Sequence, residues 1–464
     1  MLTDRVKRVY FLGIGGIGMS SLARFFRSRG VAVAGYDRIE TPLTRALTAE
    51  GMDIHYVDDP TLIPMAFLNN PSEPETLVVY TPAIPKEHQE LEFFVTNGYR
   101  IHKRSEILGL LTNAFQTVAV AGTHGKSSVT AMITQILRET EAGCTAFLGA
   151  ISKSLESNLS LSDESNLAVA EADEYDRSFL TLNPTWAVIT SMDPDHLDIY
   201  GDYQHLKEGF RLFLNRVRAN SDILIKHSLS LSPDPDRNLS IHTYSLDDPA
   251  ADFYAQDIQP EGMGYRFDLV GPDFLVRNLQ TRIPGITNVE NAVAAATISM
   301  LMGASQQVVR KGLLAFEGLV RRFDLRFNRS GVTYIDDYAH HPVEIKALIH
   351  SIRLLFPGRK ITGIFQPHLF SRTRDLAIDF ARELSVLDEL ILLDIYPARE
   401  KPIPGVTSGL IFQHITSPVK YQMSKQEFPQ ALSEIGPDVL LTIGAGDIDQ
   451  LVGPITEYLE TYVA

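Results

Sequence analysis

Residues 117–128 read TVAVAGTHGKSS and run from an apolar stretch through a glycine-rich turn into a helical pattern. Residues 117–121 predict a buried strand, and the helix is predicted from Val129 to Glu139. Backbone N–H groups and the helix dipole favour a phosphate at such a junction. The stretch therefore predicts a nucleoside triphosphate site formed by Gly122, Thr123, Gly125, Lys126, Ser127 and Ser128.

Within this turn, Lys126 would contact the β- and γ-phosphates and Ser127 would bind Mg²⁺. The pattern departs from the full GxxxxGK[ST] motif, because Val120 stands where its first glycine is expected. The alternative is a glycine-rich turn with a surface lysine. Position between a strand and a helix favours the phosphate site.

Outward from this unit, strand-length apolar runs alternate with helix-period stretches, which is typical of parallel sheets covered by helices. Similar units start near Val9 and near Val332, and an Asp/Pro/Gly-rich region from about 230 to 284 predicts an inserted or edge β segment. The fold class is therefore α/β with three domains. Their predicted bounds are 1–111, 112–317 and 318–464.

Composition excludes several classes of protein. The 464 residues carry a formal charge of -15 and a single cysteine, so neither a disulfide framework nor a cysteine-rich zinc module is possible. Net negative charge argues against a nucleic-acid partner. The sequence has no apolar run long enough to span a bilayer, and its N-terminus predicts a strand without a signal peptide. We expect a cytoplasmic protein with no membrane insertion.

A second glycine-rich stretch, GIGGIG at 13–18, matches the GxGxxG pattern and follows a predicted strand. Asp37 lies 19 residues after Gly18, at the end of the next predicted strand. Alone this pattern indicates a dinucleotide site, so an NAD-dependent oxidoreductase is a real alternative. The same geometry also suits the diphosphate of a UDP-sugar. The candidate residues are Gly13, Gly15, Gly16, Gly18 and Asp37.

Acidic residues follow two further predicted strands of the middle segment. They form Glu171-Ala-Asp-Glu and Asp-Pro-Asp-His196, which are hard oxygen ligands with one imidazole. Mg²⁺ takes one or two protein carboxylates and completes its shell with phosphates and water. Glu171 is the best first candidate and His196 the candidate for a second metal, although such acids also commonly cap helices or face solvent.

In the last third, Asp336-Asp337-Tyr-Ala-His340-His341-Pro342 links a predicted strand to a helix. Pro342 suits the first helical turn, with His341 at the helix start. Adjacent histidines share one metal poorly, so we favour contacts to nucleotide or substrate over zinc. Further along, Arg372 and Arg374 could clamp a carboxylate, whereas a surface salt bridge is the strong alternative for Arg374.

Taken together, the motifs resemble those of the Mur ligases from about Val9 to Gly446. They are GIGGIGMSSLA, GTHGKSS, EADEYD, DPDHLD, GITNVENAVAAA, RRFD, DDYAHHP and FQPHLFSRTR. This resemblance implies a Rossmann-like N-terminal domain for a UDP-sugar, a central P-loop ATPase domain and a Rossmann-like C-terminal domain for an amino acid. It also implies ATP-dependent joining of L-alanine to UDP-N-acetylmuramate through an acyl phosphate in peptidoglycan synthesis.

The resemblance further implies roles for individual residues. Glu171 and His196 match metal ligands, and Lys126 and Ser127 hold ATP phosphates and Mg²⁺. The remaining ATP contacts are Asn288, Asn291, Arg322 and Asp337. His124 would lie near the acyl phosphate. The amino-acid contacts are His341, His368 and Arg372. We take Lys126, His124 and Arg322 as the catalytic set.

Two departures concern this resemblance. Thr287 stands where the family often has histidine, and Leu369 follows His368 where a basic residue is frequent. No equivalent of the carbamylated lysine of sister ligases is identifiable, since Lys207 fits a solvated helix residue better.

Three alternatives remain. One is the related recycling ligase that attaches a tripeptide, another is the NAD-dependent oxidoreductase, and the third is a nucleotide-gated binding protein without turnover. ATP contacts on two domains imply domain closure, and we expect a monomer or homodimer.

Overall fold

The computed structural model describes residues 6–68, 75–194, 197–398, 400–436 and 438–462, without the side chains of 197 and 198. Three β-sheets with flanking helices follow one another along the chain, which confirms the predicted α/β class with three sheet-bearing domains. The predicted bounds at 111/112 and 317/318 remain predictions.

The first sheet has five parallel strands in the order β3-β2-β1-β4-β5. Its strands are β1 (Arg8–Leu12), β2 (Ala32–Tyr36), β3 (Asp53–His55), β4 (Thr76–Tyr80) and β5 (Arg100–Lys103). Its helices are α1 (Ile17–Ser28), α2 (Pro42–Ala49), α3 (Gln89–Thr96) and α4 (Arg104–Thr112). The strand order reverses between β1 and β4, and open α/β sheets bind ligands at such a switch point. The GIGGIG loop leaves β1 at this position.

The second sheet has ten strands in the order β15-β14-β13-β12-β11-β10-β6-β9-β7-β8. They are β6 (Gln116–Ala121), β7 (Thr145–Ser152), β8 (Ser157–Ser160), β9 (Leu167–Ala172), β10 (Trp186–Ile189), β11 (Asp222–Lys226), β12 (Ser240–Ser245), β13 (Phe253–Glu261), β14 (Gly264–Gly271) and β15 (Phe274–Thr281). β6 lies between β10 and β9 and pairs with both in parallel. The GTHGKSS loop leaves β6 and therefore lies among the C-terminal ends of three adjacent strands.

The helices associated with this sheet are α5 (Lys126–Arg138), α6 (Leu197–Tyr200), α7 (Tyr203–Leu214), α8 (Ile286–Leu301) and α9 (Gln306–Ala315). Strands β12 to β15 form one edge of the sheet, as the composition of residues 230–284 predicted. Apolar periodicity in the sequence predicts a helix from Ala292 to Met302, whereas α8 begins six residues earlier, at Ile286. Its first turn carries polar residues, so the apolar periodicity becomes visible only after the helix has begun.

A continuous apolar core joins the first two sheets through α1. Phe25 on α1 packs against Phe147 on β7, with ring centroids 5.5 Å apart. The buried Asn158 on β8 donates its side-chain amide to Ile17 O at 2.6 Å and to Ser20 Oγ at 2.9 Å. Both residues belong to α1, so apolar packing and buried hydrogen bonds together hold this helix against the second sheet.

The third sheet has the order β16-β17-β21-β18-β19-β20, and β16 is antiparallel to β17. Its strands are β16 (Asp324–Arg329), β17 (Val332–Asp337), β18 (Ile361–Phe365), β19 (Glu389–Leu392), β20 (Val419–Gln422) and β21 (Val439–Ile443). Its helices are α10 (Pro342–Leu355), α11 (Phe370–Leu384), α12 (Gly409–Phe412), α13 (Phe428–Ala431) and α14 (Val452–Tyr462). β21 returns between β17 and β18, where it pairs in parallel with both.

The chain divides into two compact units. The first comprises the described parts of Met1–Gln259, Arg266–Thr281 and Val289–Glu317, and therefore holds the first sheet and most of the second. The second comprises Pro260–Tyr265, Arg282–Asn288 and the described part of Gly318–Ala464. Among the described residues, no helix combines the length and the apolar character required to cross a membrane.

Candidate functional site

The loop between β6 and α5 depends on two glycines with positive φ angles. Gly125 caps α5 with φ at 82°, and Gly122 has φ at 143°. A Cβ on Gly122 would lie 2.1 Å from Thr190 Oγ1 and 2.8 Å from the backbone N of Ser191. The chain therefore requires glycine at 122 for both backbone conformation and space.

Residues at the end of β10 hold this loop from one side. The Ser191 hydroxyl accepts a hydrogen bond from the His124 backbone N–H at 2.6 Å and lies 3.0 Å from Thr123 Oγ1. Thr190 Oγ1 donates to the carbonyl of His124. Sequence analysis missed both residues, although polar side chains directly after a strand next to β6 were an available signal.

Lys126 forms an ion pair with Glu174, a residue that the sequence analysis did not single out. Its Nζ lies 2.8 and 3.0 Å from the Glu174 carboxylate oxygens and also donates to the Gly122 carbonyl. Burial alone lowers the pKa of Lys126, but the charges of Glu174, Asp173 and Glu171 outweigh it and raise the pKa to about 12. The lysine is therefore cationic and held inside the loop.

Ser127 and Glu171, two of the three predicted metal ligands, are adjacent. The Ser127 hydroxyl lies 3.2 and 3.1 Å from the two carboxylate oxygens of Glu171. Gly149 on β7 leaves room beside Glu171, because a Cβ there would overlap the carboxylate. The third predicted ligand, His196, lies outside the described residues.

Across the described chain, no group of three or more His, Cys, Asp or Glu side chains is arranged to hold a metal. One hydroxyl and one carboxylate nevertheless fit Mg²⁺, which keeps water and phosphate oxygens as its other ligands. Zinc, the alternative weighed for His340 and His341, normally takes three or four protein ligands.

Two other predicted residues belong to this site: His124, which is part of the loop, and Asn291, which lies beside it. His124 Nε2 is 3.7 Å from Asp193 Oδ2. Asn291 Oδ1 lies 3.0 Å from the position that a Cβ on Gly125 would occupy. The structure thus brings His124, Lys126, Ser127, Glu171 and Asn291 together around one loop.

In the first sheet, the GIGGIG loop is closed by its own acidic residue. Asp37 Oδ2 accepts a hydrogen bond from the Gly15 backbone N–H at 2.7 Å, and Oδ1 accepts from the Arg38 N–H at 2.8 Å. Gly13 has φ at 88°, and Gly16 caps α1. The five predicted residues of this loop are therefore gathered at the end of β1, with Gly18 in the first turn of α1.

In the second unit, the neighbouring residues Arg321 and Arg322 make different contacts. Arg321 donates to Asp336 Oδ2 at 3.3 Å and to the Gly444 carbonyl, which ties it to the sheet. Arg322 has its guanidinium 4.9 Å from the ring centroid of Tyr338, and its side chain is about one-third exposed. The predicted residue, Arg322, is the more accessible of the two.

Asp337 lies at the end of β17, beside Arg322. Its carboxylate accepts hydrogen bonds from the backbone N–H groups of Phe323 and Ala339, both at 2.7 Å. Burial raises the pKa of Asp337 to about 6, although the Arg322 charge opposes this shift.

Asn288, the remaining predicted nucleotide contact, donates its amide to the Pro284 carbonyl at 2.7 Å.

The three predicted amino-acid contacts lie around the starts of α10 and α11. His341 caps α10, where its ring accepts from the Val343 N–H at 3.4 Å. His368 and Arg372 approach to 3.5 Å between Nδ1 and Nη1. The His368 ring is 5.9 Å from that of His340, whose pKa burial lowers to about 4.

Arg374 is exposed and pairs with Asp375 at 2.7 Å. The surface salt bridge expected as its alternative role is therefore present.

Three family models cover most of the chain. The Mur ligase family catalytic domain matches residues 8–116, the Mur ligase middle domain matches 120–299, and the Mur ligase glutamate ligase domain matches 321–446. With two glycine-rich loops at strand ends and the Lys126–Ser127 pair in position, the fold and site define a nucleotide-dependent ligase. The chain belongs to the Mur ligase family.

Curated relatives narrow this class. The UDP-N-acetylmuramate–L-alanine ligase of Porphyromonas gingivalis is 47% identical over 458 residues, which cover 98% of this chain and all of that protein. The ligase of the same name from Parabacteroides distasonis is 47% identical and covers 98% of each chain.

Solved structures agree in fold. A UDP-N-acetylmuramate–alanine ligase from Thermotoga maritima aligns with a TM-score of 0.82 at 25% identity, covering 98% of this chain and 99% of that one. A murein peptide ligase from Psychrobacter arcticus aligns with a TM-score of 0.71 at 20% identity, over 97% and 98% of the two chains. The latter likeness concerns the fold alone.

Proposed function

We propose that this protein joins L-alanine to the lactyl carboxylate of UDP-N-acetylmuramate in peptidoglycan synthesis, with ATP converted to ADP and phosphate. The full-length likeness to ligases of that name, at 47% identity, carries the proposal. The geometry around residues 122–128 is consistent with it. We further propose a cytoplasmic enzyme that is a monomer or homodimer, and its single cysteine, the buried Cys144, suits a reducing compartment.

The triphosphate of ATP would bind the N-terminal turn of α5. There the loop of Gly122, Thr123, Gly125 and Ser128 would enclose the phosphates, backbone N–H groups at the start of α5 would point at their oxygens, and Lys126 would add a fixed positive charge. Since Lys126 is paired with Glu174 within the loop, its ammonium is already positioned before a phosphate arrives. This arrangement favours catalysis by preorganised electrostatics.

Mg²⁺ is part of the proposal, and Ser127 and Glu171 would hold it, together with His196 for a second ion. When bound, the ion would offset negative charge on the phosphate oxygens. The Ser127 hydroxyl and the Glu171 carboxylate oxygens are hard ligands that lie 3.1 to 3.2 Å apart, and such oxygens suit this ion.

The reaction needs an activated carboxylate, because a carboxylate and an amine do not condense usefully in water. The lactyl carboxylate oxygen would attack the γ-phosphorus as the bond to ADP breaks, which gives an acyl phosphate. The neutral amine of L-alanine would then attack the carbonyl carbon, expel phosphate and lose a proton. Lys126 and Arg322 would stabilise the transferring phosphoryl group, and His124 would donate to the developing oxyanion.

The remaining predicted residues would recognise the three substrates. Asn288, Asn291 and Asp337 would contact the nucleoside of ATP. The loop of Gly13, Gly15, Gly16 and Gly18 with Asp37 would bind the UDP diphosphate.

For L-alanine, Arg372 would clamp the carboxylate in bidentate fashion beside His368 and His341, leaving the amine able to react.

An NAD-dependent oxidoreductase is the function that the GIGGIG loop alone would favour. In dinucleotide sites the acidic residue after the second strand binds a ribose hydroxyl. Here both oxygens of Asp37 accept backbone N–H groups of Gly15 and Arg38 instead. That use of the carboxylate favours the ligase.

A phosphate-release assay tests the proposal. The protein, ATP, Mg²⁺ and UDP-N-acetylmuramate would be incubated with each of a panel of amino acids or with the free tripeptide that the recycling ligase attaches. We expect release with L-alanine and much less with other amines. Release with the tripeptide but not with L-alanine would indicate the recycling ligase, and silence with every amine together with NADH oxidation by a carbonyl compound would overturn the proposal.

A further inference from the structure

A small pocket of about 110 Å³ lies within the first unit, between the start of α1 and the ends of β7 and β9. Ile17 and Gly18 from the GIGGIG helix line one side, and Phe147 from β7 supplies apolar surface. Three charged residues complete it: Arg104, Glu171 and Asp173. The pocket therefore connects the first glycine-rich loop to the carboxylate beside Ser127.

Arg104, the first residue of α4, was not singled out from the sequence. Its Nη2 lies 3.3 Å from Asp173 Oδ2, and its side chain is 23% exposed. A Cβ on Gly18 would lie 2.3 Å from Arg104 Nη1. The last glycine of the GxGxxG pattern thus leaves room for a guanidinium, whereas in dinucleotide folds that glycine serves close packing of helix and strand.

We infer that Arg104 binds the carboxylate of the acyl substrate and presents it toward Ser127 and Glu171. The inference rests on the proposed function. A substrate whose diphosphate lies on the GIGGIG loop and whose carboxylate reaches the ATP site must pass this pocket. Because Glu171 and Asp173 line it, a substrate carboxylate needs a cation there to offset their negative charge.

Size and donor geometry agree with a carboxylate as the ligand. The pocket, at about 110 Å³, is large enough to admit a carboxylate group. A guanidinium carries five N–H donors in a planar fork that matches a carboxylate, and the bond to Asp173 uses one of them.

The competing explanation is that Arg104 only braces α4 against the segment after β9. The neighbouring Lys103 makes a bond of that kind, with its Nζ 2.8 Å from Asp176 Oδ2. Lys103 is therefore a matched control, because it is adjacent in sequence, has the same charge and pairs with the same segment.

The test is calorimetric binding of UDP-N-acetylmuramate and of UDP-N-acetylglucosamine, which lacks the lactyl carboxylate, without ATP or L-alanine. For Arg104→Gln we expect the first affinity to fall about 10- to 100-fold and the second to change less than about twofold. Lys103→Gln should change neither. Asp173→Asn should bind UDP-N-acetylmuramate at least as tightly as wild type, since it removes a competing carboxylate but keeps Arg104.

Equal weakening of both ligands in Arg104→Gln, or no weakening, would overturn the inference, as would an Asp173→Asn variant that behaves like Arg104→Gln. Thermal melting of each variant verifies folding, and Arg104→Lys provides a milder change if the glutamine variant is unfolded. Phosphate release by the wild-type protein with L-alanine tests the proposed ligase function independently of the role of Arg104. If that release occurs and the ligand discrimination does not, the role of Arg104 alone is wrong.

Discussion

The two glycine-rich loops of the first unit both leave a strand at the switch point of a sheet, yet their carboxylates act differently. In the first loop, Asp37 bonds the backbone N–H of Gly15 and closes the loop on itself. In the second, the buried Glu174 bonds the Lys126 side chain, and the loop amides lie beside a fixed cation. The first loop therefore relies on backbone shape, whereas the second relies on a buried ion pair. The same motif class can thus serve a bound diphosphate and a reacting triphosphate.

The largest effect should follow from replacing Lys126, which breaks the second loop's ion pair. We expect Lys126→Met to lower the rate of phosphate release by about 10³-fold or more, because the cation facing the transferring phosphoryl group is lost. The Glu174 side chain is fully buried, so its uncompensated charge should also cost about 3 to 5 kcal/mol of stability.

The double variant Lys126→Met/Glu174→Gln separates these two effects. It should regain most of the lost stability in a urea titration while phosphate release stays absent. Full activity in either variant would contradict the assignment of Lys126, and equal stability of the single variant and wild type would contradict the role of the buried pair.

Replacing one glycine of each loop with alanine should show which ligand each loop binds. Gly122→Ala places a Cβ against the backbone of Ser191 at a φ of 143°, which we expect to lower kcat/KM for ATP by about 10- to 100-fold. Gly15→Ala places its Cβ 2.6 Å from Thr44 Cγ2 and 2.8 Å from Asp37 Oδ2, both of which are side-chain atoms. It should weaken UDP-N-acetylmuramate several-fold and leave ATP binding intact. An opposite pattern in steady-state kinetics would reverse the assignment of the loops.

The pH response should sharpen the comparison, because α3, beside the first sheet, carries another buried carboxyl, Glu90. Its Oε1 lies 3.5 Å from Nε2 of His55, an imidazole whose pKa is lowered by burial. Glu90 is fully buried and accepts from the Tyr10 hydroxyl at 2.7 Å. Burial raises its pKa from 4.5 to about 7, so folding favours the protonated form. Its contribution to stability is complete below about pH 4.5 and is lost as the pH rises through 7.

Glu90→Gln should therefore become more stable than wild type by roughly 1 to 2 kcal/mol between pH 5 and pH 8, as judged by melting curves at each pH. A stability difference that is constant across this range would show that the carboxyl does not titrate there.

The smallest effect should come from Asp37. Asp37→Ala removes the acceptor of the Gly15 N–H, so we expect UDP-N-acetylmuramate to bind about fivefold more weakly, a loss of about 1 kcal/mol. Asp37→Asn keeps a carbonyl acceptor and should lose about half as much free energy. Calorimetry measures both losses, and equal losses for asparagine and alanine would indicate that the negative charge itself matters and not the hydrogen-bond acceptor.

Much of the fold followed from periodicity and from glycine positions. The apolar run Ile361 to Phe365 predicts a strand, and β18 has those bounds. The β region at 230–284 lies at a sheet edge as expected. The start of α8 was misplaced, because its first turn is polar and only tertiary packing shows that the helix has begun. His341 at the N-terminus of α10 was predictable, since a proline in the first turn marks the preceding residue as the cap.

The sequence by itself determined the α/β class, the two glycine-rich loops and the candidates Lys126, Ser127 and Glu171, because strand alternation and positive-φ glycines are local requirements that residue order records. Only the tertiary structure decided that Glu174 pairs with Lys126, that Ser191 holds the loop, and that Arg104 lies over Gly18. These partners are separated by 48, 67 and 86 positions. Their proximity results from the order in which strands pair and from the packing of α1 and α4, which no local pattern encodes.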